Sequence, residues 1–252
     1  MTELYHPSIY QAENHVASYW AESAGPEVEG WAPLAGDHRC EVAIIGGGYT
    51  GMSAALHLAR DYGVDVRILE AGAPGWGASG RNGGFVGPDS SKLGLSEMID
   101  TFGMEGTKAY YRNGLEAIEL VRALGRDEGI DYDAQGDGEL GVAHLPSRMD
   151  GMEDWARTWS QMIGVPVEVW SRDELAERGY RSPQAFGAYY THCGFALHPM
   201  KYARGLARAC IRRGVGFHGG SEVIGWEKEG GRHRLITPGG SLTANKVIVA
   251  TN

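Results

Sequence analysis

The apolar run Glu41-Val42-Ala43-Ile44-Ile45 predicts a buried strand, and it stops at Gly46-Gly47-Gly48. Helical spacing follows, with Met52, Ala55, Leu56 and Ala59 on one face and Gly63 placed to cap the carboxyl end. A second strand, residues 64–70, turns Val64, Val66 and Ile68 inward by alternation and ends on Glu70. Strand, glycine turn, helix and strand in so short a span make a βαβ unit, whose strands must run parallel.

The flanking chain reads differently. Residues 1–38 carry Trp20 and Trp31 without sustained periodicity and predict an irregular arm that packs by its aromatics. Beyond a second glycine concentration, Gly72 to Gly87, the texture changes. A helix is expected from about 95 to 129, with Ala117, Ile118, Val121 and Leu124 on one face, then a β-like stretch at Leu140-Gly141-Val142-Ala143. A Trp-containing helix near 148–163 follows, and Ser171 with Glu174 forms a capping box opening a shorter one. Residues 185–197 read as strand material, which makes the span from about 90 to 195 an inserted α+β layer.

After it the first texture returns. Pro199 opens a helix to about Arg213, with Tyr202, Leu206 and Cys210 on one stripe. Val215 to His218 reads as a short strand, and β segments are expected near 222–228 and 232–237 and after Gly239-Gly240. The apolar stretch Lys246 to Asn252 predicts a buried strand, so the chain is expected to be cut short there. The arginines Arg204, Arg208, Arg212 and Arg213 read as a solvated face rather than a membrane-binding one.

Composition narrows the classes. The 39 glycines in 252 residues are about twice the ~7% of average proteins, and they cluster rather than repeat. A formal charge of -9 argues against nucleic acid as the main partner, because phosphate neutralisation needs a basic face. Cys40, Cys193 and Cys210 are too scattered for a disulfide framework or a metal cluster, so no metal is expected. The polar start lacks a secretory pattern, and no apolar run approaches the ~18 residues of a membrane span. A soluble, reduced, cytoplasmic protein is the expectation.

The chemistry begins at Gly46-x-Gly48-x-x-Gly51, between predicted strand and helix, with Glu70 closing the next strand. Gly46 permits the tight turn, Gly48 lets a pyrophosphate approach the backbone, and Gly51 lets the helix lie close on the strand. The helix amino end offers unpaired N–H groups to phosphates, and Glu70 can accept from a ribose diol. This pattern leaves nicotinamide and flavin dinucleotides open. The stretch Gly75-Trp76-Gly77-Ala78-Ser79-Gly80-Arg81-Asn82-Gly83-Gly84 favours the flavin. Its small residues offer bare backbone to a flat ring and to more of the pyrophosphate; Ser79 can donate to phosphate, and Arg81 and Asn82 can address polar ring atoms.

Four segments, GGGYTGMSAALHLA, LEAGAPGWGASGRNGG, ALHPMKYARGLA and VIVATN, resemble the FAD-dependent D-amino-acid-oxidase superfamily. Within it, the likeness is to the γ-glutamylputrescine oxidase group of amine oxidoreductases, from about Tyr19 to Asn252. The resemblance implies an α/β fold: a Rossmann-like FAD-binding domain with an inserted α+β substrate domain, incomplete at the carboxyl end. Its divisions would be an arm (1–38), FAD-domain parts at 39–90 and 196–252, and a partial substrate domain at 91–195. FAD would be held by Gly46, Gly48 and Gly51 at the pyrophosphate and by Glu70 at the ribose. Gly77, Ala78 and Ser79 would line the diphosphate and ribityl chain, and Arg81, Asn82, Gly83 and Gly84 would approach the isoalloxazine. Val223 would present backbone to adenine, and Ala250 and Thr251 would close over the cofactor.

For catalysis the candidates are His198, Lys201 and Arg81. His198 can equally cap the helix at Pro199, and Lys201 can be a solvated first-turn residue. His192 and Cys193 are left between pocket and core, while Tyr189 and Tyr190 read as sheet packing rather than a substrate cage. The expected reaction is oxidation of the C–N bond of an amine or amino acid, with O₂ or another acceptor taking the electrons. The rivals are an NAD-linked dehydrogenase and a cofactor-binding fragment without turnover.

Overall fold

In the computed structural model the described residues are 6, 11, 12 and 17–251. Those parts of the expected arm and final strand that fall on residues 1–5, 7–10, 13–16 and 252 lie outside them. From the amino end the elements are α1 (Tyr19–Ser23), β1 (Gly36–Ile45), α2 (Tyr49–Tyr62), β2 (Val66–Leu69), β3 (Phe85–Val86) and α3 (Leu95–Glu128). There follow β4 (Glu139–Val142), α4 (Met152–Ile163), β5 (Val167–Ser171), α5 (Arg172–Glu177), β6 (Gly187–Thr191) and β7 (Phe195–Ala196). The last are α6 (Pro199–Arg212), β8 (Gly216–His218), β9 (Gly225–Glu229), β10 (Arg232–Thr237) and β11 (Gly240–Val249).

The chain divides into two units: residues up to 83, 125–133 and from 198 onward, and residues 84–124 with 134–197. The first unit is built on a sheet ordered β8-β2-β1-β11-β10-β9. β1 pairs parallel with β2 and with β11, and β2 parallel with β8, as the βαβ reading requires. β9, β10 and β11 form an antiparallel edge. Leu34, Ala43, Leu69, Leu235, Leu242 and Ala244 make one core cluster here, with Val223 and Val247 packed against it. Each fully buried leucine of this cluster contributes about 1.5–3 kcal/mol.

α2 buries Met52, Ala55 and Leu56, and its carboxyl end closes as expected on Gly63 (φ +64°), whose N–H donates to Ala59 O. α6 is buried along most of its length; His198 caps it, Pro199 supplies the pre-set first turn, and Cys210 Sγ donates to Met52 O at 3.3 Å. Residues 125–133 belong to this unit: Gly205 has no side chain where Ile130 packs, and a Cβ there would stand 2.2 Å from Ile130 Cγ2.

The second unit carries a sheet ordered β4-β6-β5, antiparallel throughout, and the two-stranded pair β3-β7. The expected capping box is present, with Ser171 Oγ accepting from the Glu174 amide and Glu174 Oε2 from the Ser171 amide. Trp170, Leu175, Ala185 and Ala188 form one of its cores; Met98, Tyr111 and Trp159 form another.

Several expectations need correction. β1 begins at Gly36, well before its apolar run, and the segment expected after Gly239-Gly240 runs on into the final apolar stretch as the single strand β11, because the two strands pair from Gly36↔Gly240 onward and tertiary pairing overrides weak local signal. The residues ahead of β1 are not wholly irregular, since Ser18 caps α1 by accepting from the Ala21 amide. α3 is interrupted at Gly103, whose φ of +70° is non-helical. α4 starts only at Met152, because Gly151 ahead of it is left-handed (φ +74°). β9 starts at Gly225 rather than 222, the Ser221 amide being committed to Glu70 O.

The arginine stripe is a solvated face only at its carboxyl end, where Arg212 and Arg213 are exposed while Arg204 is buried. Arg204 is 6% exposed and donates to Gly25 O at 2.7 Å, Arg208 donates to Pro26 O, and Arg212 donates to Glu128 O at 2.8 Å. Arg213 and Arg60 complete a cage around the buried Glu128 carboxylate, at 3.2 and 3.4 Å. Among the described residues no helix is long and apolar enough to cross a membrane.

Candidate functional site

β1 ends in a turn that only glycine can make. Gly46 has φ +108°, and a Cβ on it would stand 2.6 Å from Ala250 O. Gly51 sits so close beneath the turn that its Cβ would meet Gly46 O at 2.0 Å. The helix therefore lies against the strand as the spacing demands. Ala250 N–H donates to Ile45 O at 2.8 Å, which brings the exposed Thr251 and the end of β11 beside the turn.

Gly48 is the N-cap of α2 and offers no side chain to its amides. The first of those amides, on Tyr49, donates to Ser79 Oγ at 3.0 Å. A Cβ on Gly48 would meet that same Oγ at 3.0 Å. Ser79 thus stands at the amino end of the helix, where phosphate oxygens are favoured by open N–H groups and the helix dipole.

Glu70 braces the turn from the next strand. Its Oε2 accepts from the Gly47 amide at 2.6 Å and its Oε1 from the Gly72 amide at 2.9 Å. Its backbone is held by β8 and the segment after it: Glu70 N–H donates to His218 O, and Ser221 N–H donates to Glu70 O. Val223, farther along, turns its side chain to the core cluster.

The second glycine loop folds onto the start of α6. Gly75 (φ +81°) and Gly80 accommodate Met200, and a Cβ on Gly80 would also strike Gly75 O at 2.1 Å. Gly77 has nothing within 4 Å of a Cβ and presents bare backbone. Ala78–Gly80 form a short 3-10 turn that Asn82 caps, its Nδ2 donating to Ser79 O and Ala78 O at 3.0 and 3.2 Å. Arg81 stacks its guanidinium 4.5 Å above the Trp76 ring. Gly83 is exposed and ends the first unit's stretch; Gly84 (φ +77°) belongs to the second, where it accepts from the Leu197 amide.

The structure places Gly46, Gly48, Gly51, Glu70, Ser79, Ala250 and Thr251 around one turn. It also brings in Tyr49, which the sequence reading passed over. Its hydroxyl donates to Pro199 O at 3.0 Å, its ring meets Tyr202 edge-on at 5.2 Å, and burial pushes its pKa up to about 12. Tyr49 occupies a variable position of the glycine motif, so spacing alone carries no signal for it.

His198 and Lys201 have other partners. His198 is 5% exposed; its Nδ1 accepts from the Lys201 amide at 3.2 Å, which leaves Nε2 to donate to Ser23 Oγ at 3.0 Å. Trp20 packs edge-on at 4.9 Å, and burial lowers the pKa and keeps the ring neutral. Both ring nitrogens are occupied, so the geometry makes His198 the cap of α6. Lys201 Nζ is paired with Asp133 at 2.8 Å. Cys193 packs on the core of Met98, Tyr111 and Trp159, while His192 lies at the surface on Glu168, 2.7 Å away. Among the described residues no group of three or more His, Cys, Asp or Glu could hold a metal ion.

A family described as DAO, FAD dependent oxidoreductase, matches residues 41–252. The chain is 32% identical over 234 residues to the probable oxidoreductase OrdL of Rhizobium meliloti, covering 92% of this chain and 54% of that protein. It is 33% identical over 247 residues to the γ-glutamylputrescine oxidoreductase of Escherichia coli, covering 94% and 54%. Among solved structures, the glycine oxidase of Geobacillus kaustophilus superposes with a TM-score of 0.69 at 26% identity, covering 85% of this chain and 55% of that one. The chain spans about half the length of the curated relatives it matches.

Proposed function

The chain belongs to the DAO family of FAD-dependent oxidoreductases, and on that premise we propose that it binds FAD across the amino end of α2 and oxidises the C–N bond of an amine or amino acid in the cytoplasm. The observation that carries the reading is the cradle itself. Gly48 leaves α2 without a side-chain cap of its own, Ser79 Oγ accepts from the Tyr49 amide at its amino end, and the Glu70 carboxylate lies one residue away on Gly47. A diphosphate placed there would meet helix amides and a hydroxyl, and its ribose would meet an acid, which fits FAD residue by residue.

In this reading Gly46, Gly48 and Gly51 hold the pyrophosphate, with Gly77, Ala78 and Ser79 along the diphosphate and ribityl chain. Val223 gives backbone to adenine, and Ala250 and Thr251 close the strand end. Arg81, Asn82, Gly83 and Gly84 address the ring. Arg81 is positioned by Trp76 and Asn82 by the 3-10 turn, so both can orient polar groups without first being ordered. Bound FAD would supply a hydride acceptor next to the C–N bond, and O₂ or another acceptor would take the electrons onward. The substrate reading rests on the relatives' activities on γ-glutamylputrescine and glycine. His198, buried, neutral and fully hydrogen-bonded, acts in it as a positioning residue for α6.

The test is an absorbance spectrum of the purified 252-residue chain, FAD release on denaturation, and an anaerobic screen of amines and amino acids. A flavin band that bleaches with an amine supports the proposal. Flavin without bleaching would reduce the reading to cofactor binding, and a colourless protein that ignores FAD but binds NAD would overturn it.

A further inference from the structure

The face of α6 turned away from the glycine loops lines a cavity that the cofactor reading leaves unused. Lys201, Gly205, Arg208 and Arg212 recur at spacings of four, three and four, which sets them in one row along the helix. Met200, against Gly75 and Gly80, and Cys210, against Met52, lie on the opposite side. Together with residues 23–26 and 128–131, the row lines a cavity of about 380 Å³. All of these residues belong to the first unit.

The backbone leaves room there. Gly25 (φ +75°) and Gly129 (φ +64°) both line the cavity in the left-handed region, and a Cβ on either would have nothing within 4 Å.

The charges of the wall are unevenly matched. Lys201 is taken by Asp133 at 2.8 Å. Glu128 is already held by Arg60 and Arg213 at 3.4 and 3.2 Å. Asp131 is exposed, and its Oδ1 accepts from the Asp133 amide at 3.2 Å. Arg208 and Arg212 remain. Each is tied to the main chain through Nη2 alone, Arg208 to Pro26 O and Glu27 O, and Arg212 to Glu128 O at 2.8 Å. Arg212 Nη2 also lies 3.8 Å from Glu128 Oε2, whereas among the described residues no carboxylate pairs with Arg208. The Nε–H and Nη1–H groups of both guanidinia thus have no partner among the described residues, and both residues reach solvent.

From this arrangement we infer that Arg208 and Arg212 form a site for a small oxyanion, the phosphate or carboxylate group of a compact organic molecule lodged between α6 and residues 23–26. Residues one turn apart on a helix face are neighbours, so two guanidinium forks converge on one group. Such a fork matches the oxygens of a carboxylate or a phosphate. The Nη2 tethers hold both side chains in place before the ligand arrives, which lowers the ordering cost of binding. The volume lies near the lower end of the ~300–1,000 Å³ of ligand pockets, which suits a compact molecule rather than a dinucleotide. The site shares no residue with the cradle at α2, and the inference does not rest on the amine-oxidising reading.

The test is a calorimetric titration of the FAD-loaded chain, so that the end of α2 is occupied, with inorganic phosphate and with succinate at constant ionic strength. Saturable binding of either anion is expected, and the tighter of the two identifies the group recognised. Arg208→Gln should weaken it about 10-fold or more, and Arg208→Lys, which keeps the charge but loses the fork, several-fold. Arg157→Gln makes the same charge change at an exposed position of α4 and should leave binding unaltered. Both Arg208 variants keep a donor for Pro26 O, so their fold is preserved. An unchanged Kd in both Arg208 variants, equal weakening in Arg157→Gln, or no saturation with either anion would overturn the inference. Failure to load FAD would count against the cofactor reading alone. Phosphate bound at the end of α2 would then be told from phosphate at this site, because only the latter responds to Arg208→Gln.

Discussion

Glu70 Oε2 accepts the Gly47 amide hydrogen at 2.6 Å, so the acid that ends β2 also fixes the glycine turn that ends β1. Its other oxygen fixes Gly72 at 2.9 Å, the first residue of the second glycine loop. One carboxylate therefore ties together both loops of the proposed FAD site, and loss of it should be felt by the empty protein as well as by the cofactor. In Glu70→Ala two amides lose their acceptor, which should cost about 1–3 kcal/mol for each left buried. Melting of the FAD-free protein and FAD titration together check this. A variant that melts like the parent and binds FAD equally well would remove Glu70 from both roles.

Glycines of the site separate into those required by packing and those left free for a ligand. Gly51→Ala drives a Cβ to 2.0 Å from Gly46 O and should destabilise by at least ~2 kcal/mol, lowering the melting temperature without any cofactor present. Gly77→Ala meets nothing within 4 Å and should leave FAD-free stability within ~0.5 kcal/mol of the parent while weakening FAD binding. Equal FAD affinity in Gly77→Ala would mean that no ligand approaches that backbone.

Glu128 is a stability centre. Its side chain is 2% exposed and lies among Arg60, Arg212 and Arg213. Glu128→Ala should cost about 2–3 kcal/mol, below the ~3–5 kcal/mol of a fully buried pair because the arginines partly reach water. The urea midpoint measures it, and a loss under ~0.5 kcal/mol would assign the cluster no stabilising role.

Stability should fall in mild acid. Burial is the main cause that lowers the pKa of both His198 and His218 below the ordinary 6.5. The unfolded chain then binds protons that the native state refuses, so the associated stability is complete above about pH 6.5 and is lost as pH falls through that value. His198→Asn should retain a helix cap, since asparagine is a good N-cap, and should flatten the dependence of melting temperature on pH between about 5 and 7. An undiminished slope in that variant would show that His198 does not contribute to it.

Much of the site was legible from local spacing. Gly46, Gly51 and Gly63 each serve a backbone need that a short window reveals: a positive φ or a close approach next to a strand or helix end. Ser171 and Glu174 cap α5 as their separation implies. His198 could be read as a cap or a catalyst; its Nδ1 caps the Lys201 amide, and Ser23 and Trp20, distant in sequence, occupy the rest of the ring. Tyr49 left no trace in the motif, because its partner Pro199 lies on another helix.

The sequence by itself determined the βαβ order, the glycine positions and the acid that follows, because chain geometry over a few residues admits little else at such turns. Only the tertiary structure decided that β1 and β11 pair along polar residues, that Arg204 is buried against Gly25 O, and that Thr191 faces Glu139. Strand pairing and the burial of charge depend on groups far apart in the chain, and their free energies exist only once those groups are brought together.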